Sequence, residues 1–455
     1  MEPIAPHDRL LVLMTLNAFS TEEKREAISL AGSVTDWNEF WRVADDNRTA
    51  PLVQYNMEKL KIFSLVPKTV RDRFVARSAE IKNANEGRLA VAKKFLKKFN
   101  ERKIPVVILK GVNFAETIYK NPYYKRMNDI DILIKFADID AIYDVYEEMG
   151  FFCAAELVGG NPRKQEKFSH HAPSFFSRDL KCMIGTHWGL ITPMAPYRID
   201  YPAIWSRVRD FKFYNLKVLT MTPEDNLHHL CVHLPYYKAG LKEIADIYNL
   251  VRHYGNEIDW SVFLREVAKA KTENPVYHAL SLANRLCPVP KFDEIIAAVK
   301  PKTSWYFRRD TARKIRDLAI LVRMRSVHMA RIEKNFSDFN ITKKALEKWK
   351  YYLLMWHGLL FPPIEDVIKM NAYRDPGLGR RLLGRVITPL KIFRVFSRDL
   401  GAKIFILILI KCFVESIWYT LKAPFSRGTE IDYAAFARRI GCSVEDLQRL
   451  KDNLE

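Results

Sequence analysis

The chain has 455 residues, 48% hydrophobic and 28% charged, a composition that excludes a largely disordered protein and a length that allows two or three domains. Lys and Arg number 73 against 53 Asp and Glu, so the formal net charge is +20, which favours anionic partners such as phosphates, nucleic acid or an acidic membrane surface. The six cysteines are scattered without a Cys-x-x-Cys pair, which indicates reduced thiols in a cytoplasmic protein. We also expect no signal peptide, because the first residues lack a basic leader.

The first 100 residues are predicted to be helical. Thr21-Glu-Glu-Lys24 is a capping signal, and apolar residues follow it three and four apart. A second helix is predicted to open at Asp36, and a long basic amphipathic helix is predicted from Val70 to Phe99. We expect this region to pack against the sheet that follows, with its charges on a solvated face.

Residues 101 to about 215 are predicted to form an α/β core. Val106 to Leu109 is a short β-branched run, Gly111 is expected to supply a turn, and Val112 to Tyr119 has helical spacing. The next apolar run, Ile130 to Ile134, predicts a second strand. The segment therefore has the order strand, turn, helix, strand.

Two aspartates stand where that second strand begins. Because side chains on a strand alternate between faces, Asp129 and Asp131 point the same way, about 7 Å apart at their Cα atoms. Such carboxylates repel each other unless a cation lies between them, and hard oxygen ligands suit Mg²⁺ (or Mn²⁺), whose other positions go to water and substrate phosphates. This pattern indicates phosphoryl or nucleotidyl transfer. The alternative is a simple turn at Asn128-Asp129 with Asp131 exposed, since a bare Asp-x-Asp is common.

Two basic residues flank the aspartates in sequence. Lys110, beside Gly111, is placed for a point-charge contact with phosphate, and Arg126 is placed for a bidentate one. Arg126 could equally form an ion pair that holds Asp129 or Asp131.

Further motifs follow in a characteristic order. In sequence they are Leu109-Lys-Gly111, Arg126, Asp129-Ile-Asp131, His170-His-Ala-Pro173, Thr186-His-Trp188, Leu219 to Asp225 and Ile244 to Leu250. Their order and spacing resemble an uncharacterised family of nucleotidyltransferase-like proteins in the DNA polymerase β superfamily, over roughly residues 100 to 255. The resemblance implies an α+β fold with a polymerase-β-type core, in which a small mixed sheet has flanking helices. Residue patterns outside this range add helical N- and C-terminal regions.

The resemblance also implies a third carboxylate on a neighbouring strand, but the chain has Gly185 at that position. His187 shares the strand parity of Gly185, one step of about 7 Å along, so it could act as a catalytic base or weak ligand. Three interpretations stay open: catalysis with two acids and one metal, replacement by His187 or a distant acid such as Asp200, or a nucleotide-binding domain that has lost catalysis.

Several histidines have two interpretations each. His170 and His171 fall where the family has a His before a Pro, and could contact the nucleotide or lie on an edge strand, hydrogen bonded to backbone. The basic loop at residues 158–167 could hold triphosphate. His229 and His233 have zinc-pair spacing but lack an intervening Glu and a third ligand, and packing on the sheet with Asp246 as a partner is the alternative.

The C-terminal part is basic. Residues 301–376 are predicted to be helical, and their interleaved arginines and aromatics could bind nucleic acid or form an ordinary helix surface. Region 377–425 begins with arginines and continues into an apolar run that Lys411 and Glu415 interrupt, so it is a poor membrane span. It fits either an interfacial helix on an anionic membrane or a helix docked on the catalytic body or in a dimer interface.

The leading hypothesis is a cytoplasmic Mg²⁺-dependent nucleotidyltransferase that moves NMP from NTP to an unidentified hydroxyl of a protein, RNA, sugar or lipid head group. Asp129 and Asp131 would bind metal, with Lys110 and Gly111 at the phosphates. The alternative is a catalytically disabled nucleotide-binding or membrane-peripheral scaffold protein. The expected regions are a helical N-terminal region (1–100), the core (101–215), helices packed on it (216–300), a basic and aromatic helical region (301–376) and a basic amphipathic C-terminal region (377–455).

Overall fold

A computed structural model describes residues 4–153, 156, 170–180, 182–191, 197–237, 240–316, 377–399 and 433–447, with further single positions between 356 and 421. The chain divides into two compact units. The first comprises Met1–Val145, Leu180–Leu190 and Arg198–Val327, and the second Tyr146–Asp179, Ile191–Tyr197 and His328–Glu455. Because each unit combines segments distant in sequence, the predicted division into five consecutive regions stays a prediction.

Helices dominate the described part of the chain. In order they are α1 (Pro6–Leu13), α2 (Thr21–Ala31), α3 (Trp37–Asp46), α4 (Ala50–Lys59), α5 (Lys68–Glu101), α6 (Lys110–Thr117), α7 (Ile139–Glu148), α8 (Tyr201–Arg207), α9 (Pro223–Tyr237), α10 (Leu241–Tyr254), α11 (Trp260–Ala270), α12 (Glu273–Leu286), α13 (Pro290–Val299), α14 (Trp305–Arg316), α15 (Leu378–Asp399) and α16 (Tyr433–Ile440).

Local sequence explains where the first helices begin. Ser20 caps α2 because its side chain accepts a hydrogen bond from the Glu23 backbone, while the Glu23 carboxylate accepts one from the Ser20 backbone. Asp36 caps α3 by accepting from the Glu39 backbone. The predicted helical N-terminal region is confirmed, and its long helix is α5.

The strands are β1 (Val107–Ile108), β2 (Ile130–Leu133), β3 (Phe152–Cys153), β4 (Phe175–Phe176), β5 (Met183–His187), β6 (Arg209–Phe213) and β7 (Leu216–Thr220). In the first unit the strand order is β5-β2-β1-β7-β6. Pairing is parallel between β2 and β5 and between β1 and β7, and antiparallel between β1 and β2 and between β6 and β7. The small mixed sheet with flanking helices confirms the predicted α+β class.

Two apolar clusters hold the first unit together. The larger joins the N-terminal helices to α9, α10 and α12, and Phe74 and Tyr248 are among its fully buried members. A smaller cluster includes Val107, Leu109 and Leu133, which occupy the sheet face that carries Asp131. This apolar cluster therefore lies on the same face of the sheet as Asp131.

In the second unit, β3 and β4 form an antiparallel pair with Phe152 opposite Phe176. Helix α16 packs on it through Phe436, whose ring lies 5.8 Å from that of Phe152, and Arg439 forms an ion pair with Glu156. The basic loop 158–167 and most of the predicted helices between 317 and 376 lie outside the described residues. Of the helices within the described ranges, none has the length and apolarity needed to cross a bilayer.

Candidate active site

Strands β2 and β5 place the predicted residues side by side. In their parallel register Asp131 lies opposite Gly185, and Leu133 lies opposite His187. Alternation along each strand therefore puts Asp131, Gly185 and His187 on one face of the sheet, and Asp129 has the same parity immediately before β2. The predicted common face of Gly185 and His187 is confirmed, and the register adds Asp131 to that face.

Asp131 has a cationic or polar partner at each oxygen. Its Oδ1 atom accepts a hydrogen bond from His187 Nε2 at 3.1 Å, and its Oδ2 atom lies 3.9 Å from Lys110 Nζ. All three side chains are largely buried. Burial by itself would raise the pKa of Asp131, but His187, Lys110 and His229 outweigh it and hold that pKa below its usual range. Asp131 is therefore ionised in the folded protein.

Asp129 behaves in the opposite way. Burial, and after it the charge of Asp131, raises the pKa of Asp129 to about 6, although Lys110, His187 and Lys242 oppose the shift. The pKa of Asp129 is raised in part because the two carboxylates share a site that has too little positive charge for both to ionise easily. Divergent values of this kind concentrate at functional sites.

The donor chemistry of the pair fits a hard divalent cation such as Mg²⁺ or Mn²⁺. Two carboxylates are as many protein ligands as Mg²⁺ usually takes, with water and substrate phosphate completing the octahedron. Among the described residues no group of three or more His, Cys, Asp and Glu side chains has the spacing of a metal centre. Asp129 and Asp131 would therefore be the protein carboxylates that bind such a cation.

Gly185 leaves the space that the Asp131 carboxylate occupies. A Cβ atom at position 185 would lie far inside van der Waals contact with Asp131 Oδ1, and 3.1 Å from His187 Nε2. Any side chain there requires the Asp131 carboxylate to move from its present position. The Asp131 carboxylate can therefore take its present orientation only because position 185 is a glycine and not the expected third acid.

The junction between β1 and α6 differs from the expected glycine turn. Gly111 lies inside α6, and its added Cβ would meet only Met127 at 4.0 Å. The residue with left-handed backbone is Lys110, at a φ of 35°, a conformation that costs a non-glycine residue free energy. The strain falls on the residue whose ammonium group faces Asp131.

Arg126 forms no ion pair with either aspartate within the described part of the chain, which removes the alternative that it simply holds them. Arg88 of α5, which the sequence did not single out, has Nε and Nη1 buried without a hydrogen-bond partner there. Burial lowers the pKa of the Arg88 guanidinium, and the nearby charge of Arg126 lowers it further. The charges of Arg126 and Asp129 both act on Arg88, and an anion bound between the two guanidinium groups would stabilise them.

A set of buried polar contacts, here called the clamp, fixes the segment that leads into β2. Asn85 of α5 donates to the carbonyls of Pro122 and Lys125 at 2.6 and 2.8 Å and accepts from the Met127 amide at 3.2 Å. From α10, Asp246 forms an ion pair with Lys125.

Two further contacts from the same side complete the clamp. Asp246 accepts from the Tyr119 hydroxyl at 2.8 Å, and Lys242 donates to the Arg126 carbonyl at 3.3 Å. Burial, and then Lys125, lowers the pKa of Lys242 to about 8. The two Asp246 oxygens thus contact Tyr119 and Lys125, and the expected pairing of Asp246 with a histidine stays a prediction.

The remaining histidines separate by location. His229 of α9 is buried, and burial, Lys110 and His187 together lower its pKa well below the usual range, so its ring is neutral beside the site. Its ring lies 5.7 Å from that of His233. His170 and His171 belong to the second unit, where His171 Nδ1 hydrogen bonds the Ala172 carbonyl at 2.8 Å, as the edge-strand interpretation expects.

Asp200, the distant acid considered as a replacement, caps α8 by accepting from the Ala203 amide at 3.0 Å. It has a structural role there.

Comparison with known proteins gives one match. No curated protein and no solved structure matches the chain. The family model described as "uncharacterised nucleotidyltransferase" matches residues 33–288, more than half of the chain, and this range contains Asp129, Asp131 and His187 together with Arg88 and the clamp. The chain belongs to this uncharacterised nucleotidyltransferase family.

Proposed function

We propose that the protein transfers a nucleoside monophosphate from an NTP to a hydroxyl acceptor. The acceptor oxygen would attack the α-phosphorus, the bond from that phosphorus to the β-phosphate bridging oxygen would break, and pyrophosphate would leave. The observation that carries the proposal is the partly buried pair Asp129 and Asp131 at the start of β2, in which the pKa of one carboxyl is lowered and that of the other is raised.

Each side chain has a role that its surroundings support. Asp129 and Asp131 would hold Mg²⁺ or Mn²⁺, which supplies charge neutralisation at the phosphates and orients the acceptor oxygen. Lys110, Arg126 and Arg88 would offset the triphosphate charge. His187, oriented by its hydrogen bond to Asp131, would accept the proton of the acceptor hydroxyl.

Calorimetric titration of the protein with each NTP, with and without Mg²⁺, tests the binding half of this proposal. We expect Mg²⁺-dependent binding that the double variant Asp129→Asn/Asp131→Asn loses. Asp210→Asn, an exposed strand aspartate outside the site, is the matched control and should bind as the native protein does. Equal NTP affinity in the double variant would refute the metal-site assignment.

Transfer itself requires a labelled nucleotide. Protein, RNA, sugar and lipid fractions incubated with α-³²P-labelled NTP should acquire label in one class, with release of pyrophosphate. The Asp131→Asn variant should give no label in that class.

A second candidate is nucleotide binding without transfer, which Gly185 and the engagement of both Asp131 oxygens by His187 and Lys110 favour. It predicts NTP binding without pyrophosphate release for every acceptor class. Gly185→Asp discriminates between the two, because transfer that appears only in this variant would mark the native chain as disabled.

A further inference from the structure

Helix α15 of the second unit exposes an unusual amount of apolar surface. Six large apolar side chains on it are between 46% and 74% exposed: Leu378, Leu382, Leu383, Val386, Leu390 and Phe393. At 3.6 residues per turn they fall within an arc of about 140°. The helix therefore presents a continuous apolar face to solvent.

The opposite side of α15 is the less exposed one. Gly384 and Thr388 are buried, and they lie about 180° from the centre of the apolar face. The Thr388 hydroxyl donates a hydrogen bond to the Gly384 carbonyl within the helix at 2.7 Å. The apolar face therefore points to solvent, because the buried residues of the helix lie on its other side.

Basic residues border the apolar face on both sides. The helix contains Arg380, Arg381, Arg385, Lys391, Arg394 and Arg398 against a single acid, Asp399. On the helical projection Arg394 adjoins one edge of the apolar arc, next to Leu383, and Arg385 adjoins the other, next to Leu378. Both arginines are exposed. This apolar face with a cationic border matches helices that lie in the plane of a membrane interface.

A second apolar stripe follows in the same unit. Among the helical positions described between 406 and 421, seven large apolar side chains are 47% to 63% exposed: Ile406, Ile410, Phe413, Val414, Ile417, Trp418 and Leu421. Their spacing of three and four places them on one side of a helix. Ser416 lies off this stripe and accepts a hydrogen bond from Trp356 at 3.0 Å, which attaches the other side to the unit.

We propose that α15, together with the 406–421 stripe, binds an anionic lipid bilayer peripherally. Charge complementarity selects this occupant, because six cations and one anion on a helix attract acidic head groups while the apolar face enters the acyl boundary. A symmetric dimer through α15 would place the arginine borders of two copies against each other. A nucleic acid would leave the apolar face in water. The proposal is independent of the transferase reaction.

Flotation of the full-length protein with vesicles tests the apolar contribution. The protein should float with phosphatidylcholine vesicles containing 30 mol% phosphatidylserine and stay at the bottom with phosphatidylcholine alone. The variant Leu382→Ser/Val386→Ser/Leu390→Ser should need about 100-fold more lipid for half-maximal binding. Ile28→Ser/Leu65→Ser/Val75→Ser, which changes three apolar side chains about half exposed in the first unit, should float as the native protein does.

The cationic border has its own test. Arg381→Gln/Arg385→Gln/Arg394→Gln should weaken binding to the anionic vesicles by about 100-fold, at about 1 kcal/mol for each charge near the surface. Lys94→Gln/Lys97→Gln/Lys300→Gln removes three exposed cations of the first unit and should change binding little. Unimpaired flotation of either α15 variant, or no flotation of the native protein, would overturn the proposal. Analytical ultracentrifugation adds one more overturning outcome, a native dimer that the triple serine variant dissociates, since a second copy would then cover the face.

Discussion

The clamp and the active site lie on the same stretch of chain. They differ in whether their buried polar groups have hydrogen-bond partners. In the clamp, Asn85 and Asp246 meet hydrogen-bond donors and acceptors that satisfy them. In the site, Asp129 has a raised pKa and Arg88 has buried donors without partners in the described chain. Satisfied polar groups of this kind are explained by folding, whereas unsatisfied ones cost stability and imply a ligand.

Breaking the clamp should have the largest effect on stability. Asp246→Ala leaves the Lys125 ammonium buried without its carboxylate, and we expect the free energy of unfolding to fall by about 3–5 kcal/mol. Urea denaturation at pH 7.5 measures this change. Asp72→Ala removes an exposed α5 ion pair with Lys68 and should cost less than about 0.5 kcal/mol. A similar loss in both variants would mean that the clamp does not hold the fold.

The two site aspartates should respond to the same substitution with opposite signs. The folded pKa of Asp129 is about 6 against an ordinary 3.8, so its ionised form destabilises the folded state above pH 6, and the cost disappears as the pH falls toward 4. Asp129→Asn should therefore stabilise the metal-free protein at pH 7.5 by on the order of 1–3 kcal/mol.

Asp131→Asn should instead destabilise by about 1–2 kcal/mol at pH 7.5, because Lys110 loses its carboxylate and His187 its charged acceptor. The depressed pKa of Asp131 gives stability that is present above about pH 4 and is lost as acid protonates the carboxylate. Urea denaturation of both variants from pH 7.5 to 4 measures the pair. Destabilisation by both at pH 7.5 would contradict the electrostatic difference between them.

Substitution of Arg88 tests the role of its unpaired donors in ligand binding. We expect it to have the smallest effect on stability of these variants. Arg88→Met removes unpaired buried donors, so the free energy of unfolding should stay the same or rise slightly. NTP affinity should fall about 10- to 100-fold, the loss expected for one hydrogen bond to a charged group. Lys94→Met, an exposed cation on the same helix, is the control. Unchanged NTP affinity in Arg88→Met would remove this arginine from the phosphate site.

Local patterns predicted a large part of this architecture. Two-residue periodicity was enough to place Asp129 and Asp131 on one face, because strand alternation is a property of the backbone alone. Helical periodicity predicted α5 for the same kind of reason. Arg88 was not recognisable, since α5 contains many Lys and Arg residues and nothing local separates a buried arginine from a solvated one.

Other features depended on distant segments. Asn85 and Asp246 are 37 or more residues from the loop that they fix, and their partners are mostly backbone atoms or a lysine, which leave no spacing to detect.

Periodicity and residue chemistry therefore identified the carboxylate pair and the amphipathic C-terminal region, and the family resemblance gave the class of fold. Only the tertiary structure decided which charges are satisfied. Asp131 has a hydrogen bond because Gly185 of β5 leaves space for its carboxylate, and Arg88 has no described partner because of the orientation in which α5 packs. The electrostatic environment of a side chain is set by groups that folding brings together from distant parts of the chain. Local sequence spacing does not predict which groups these are.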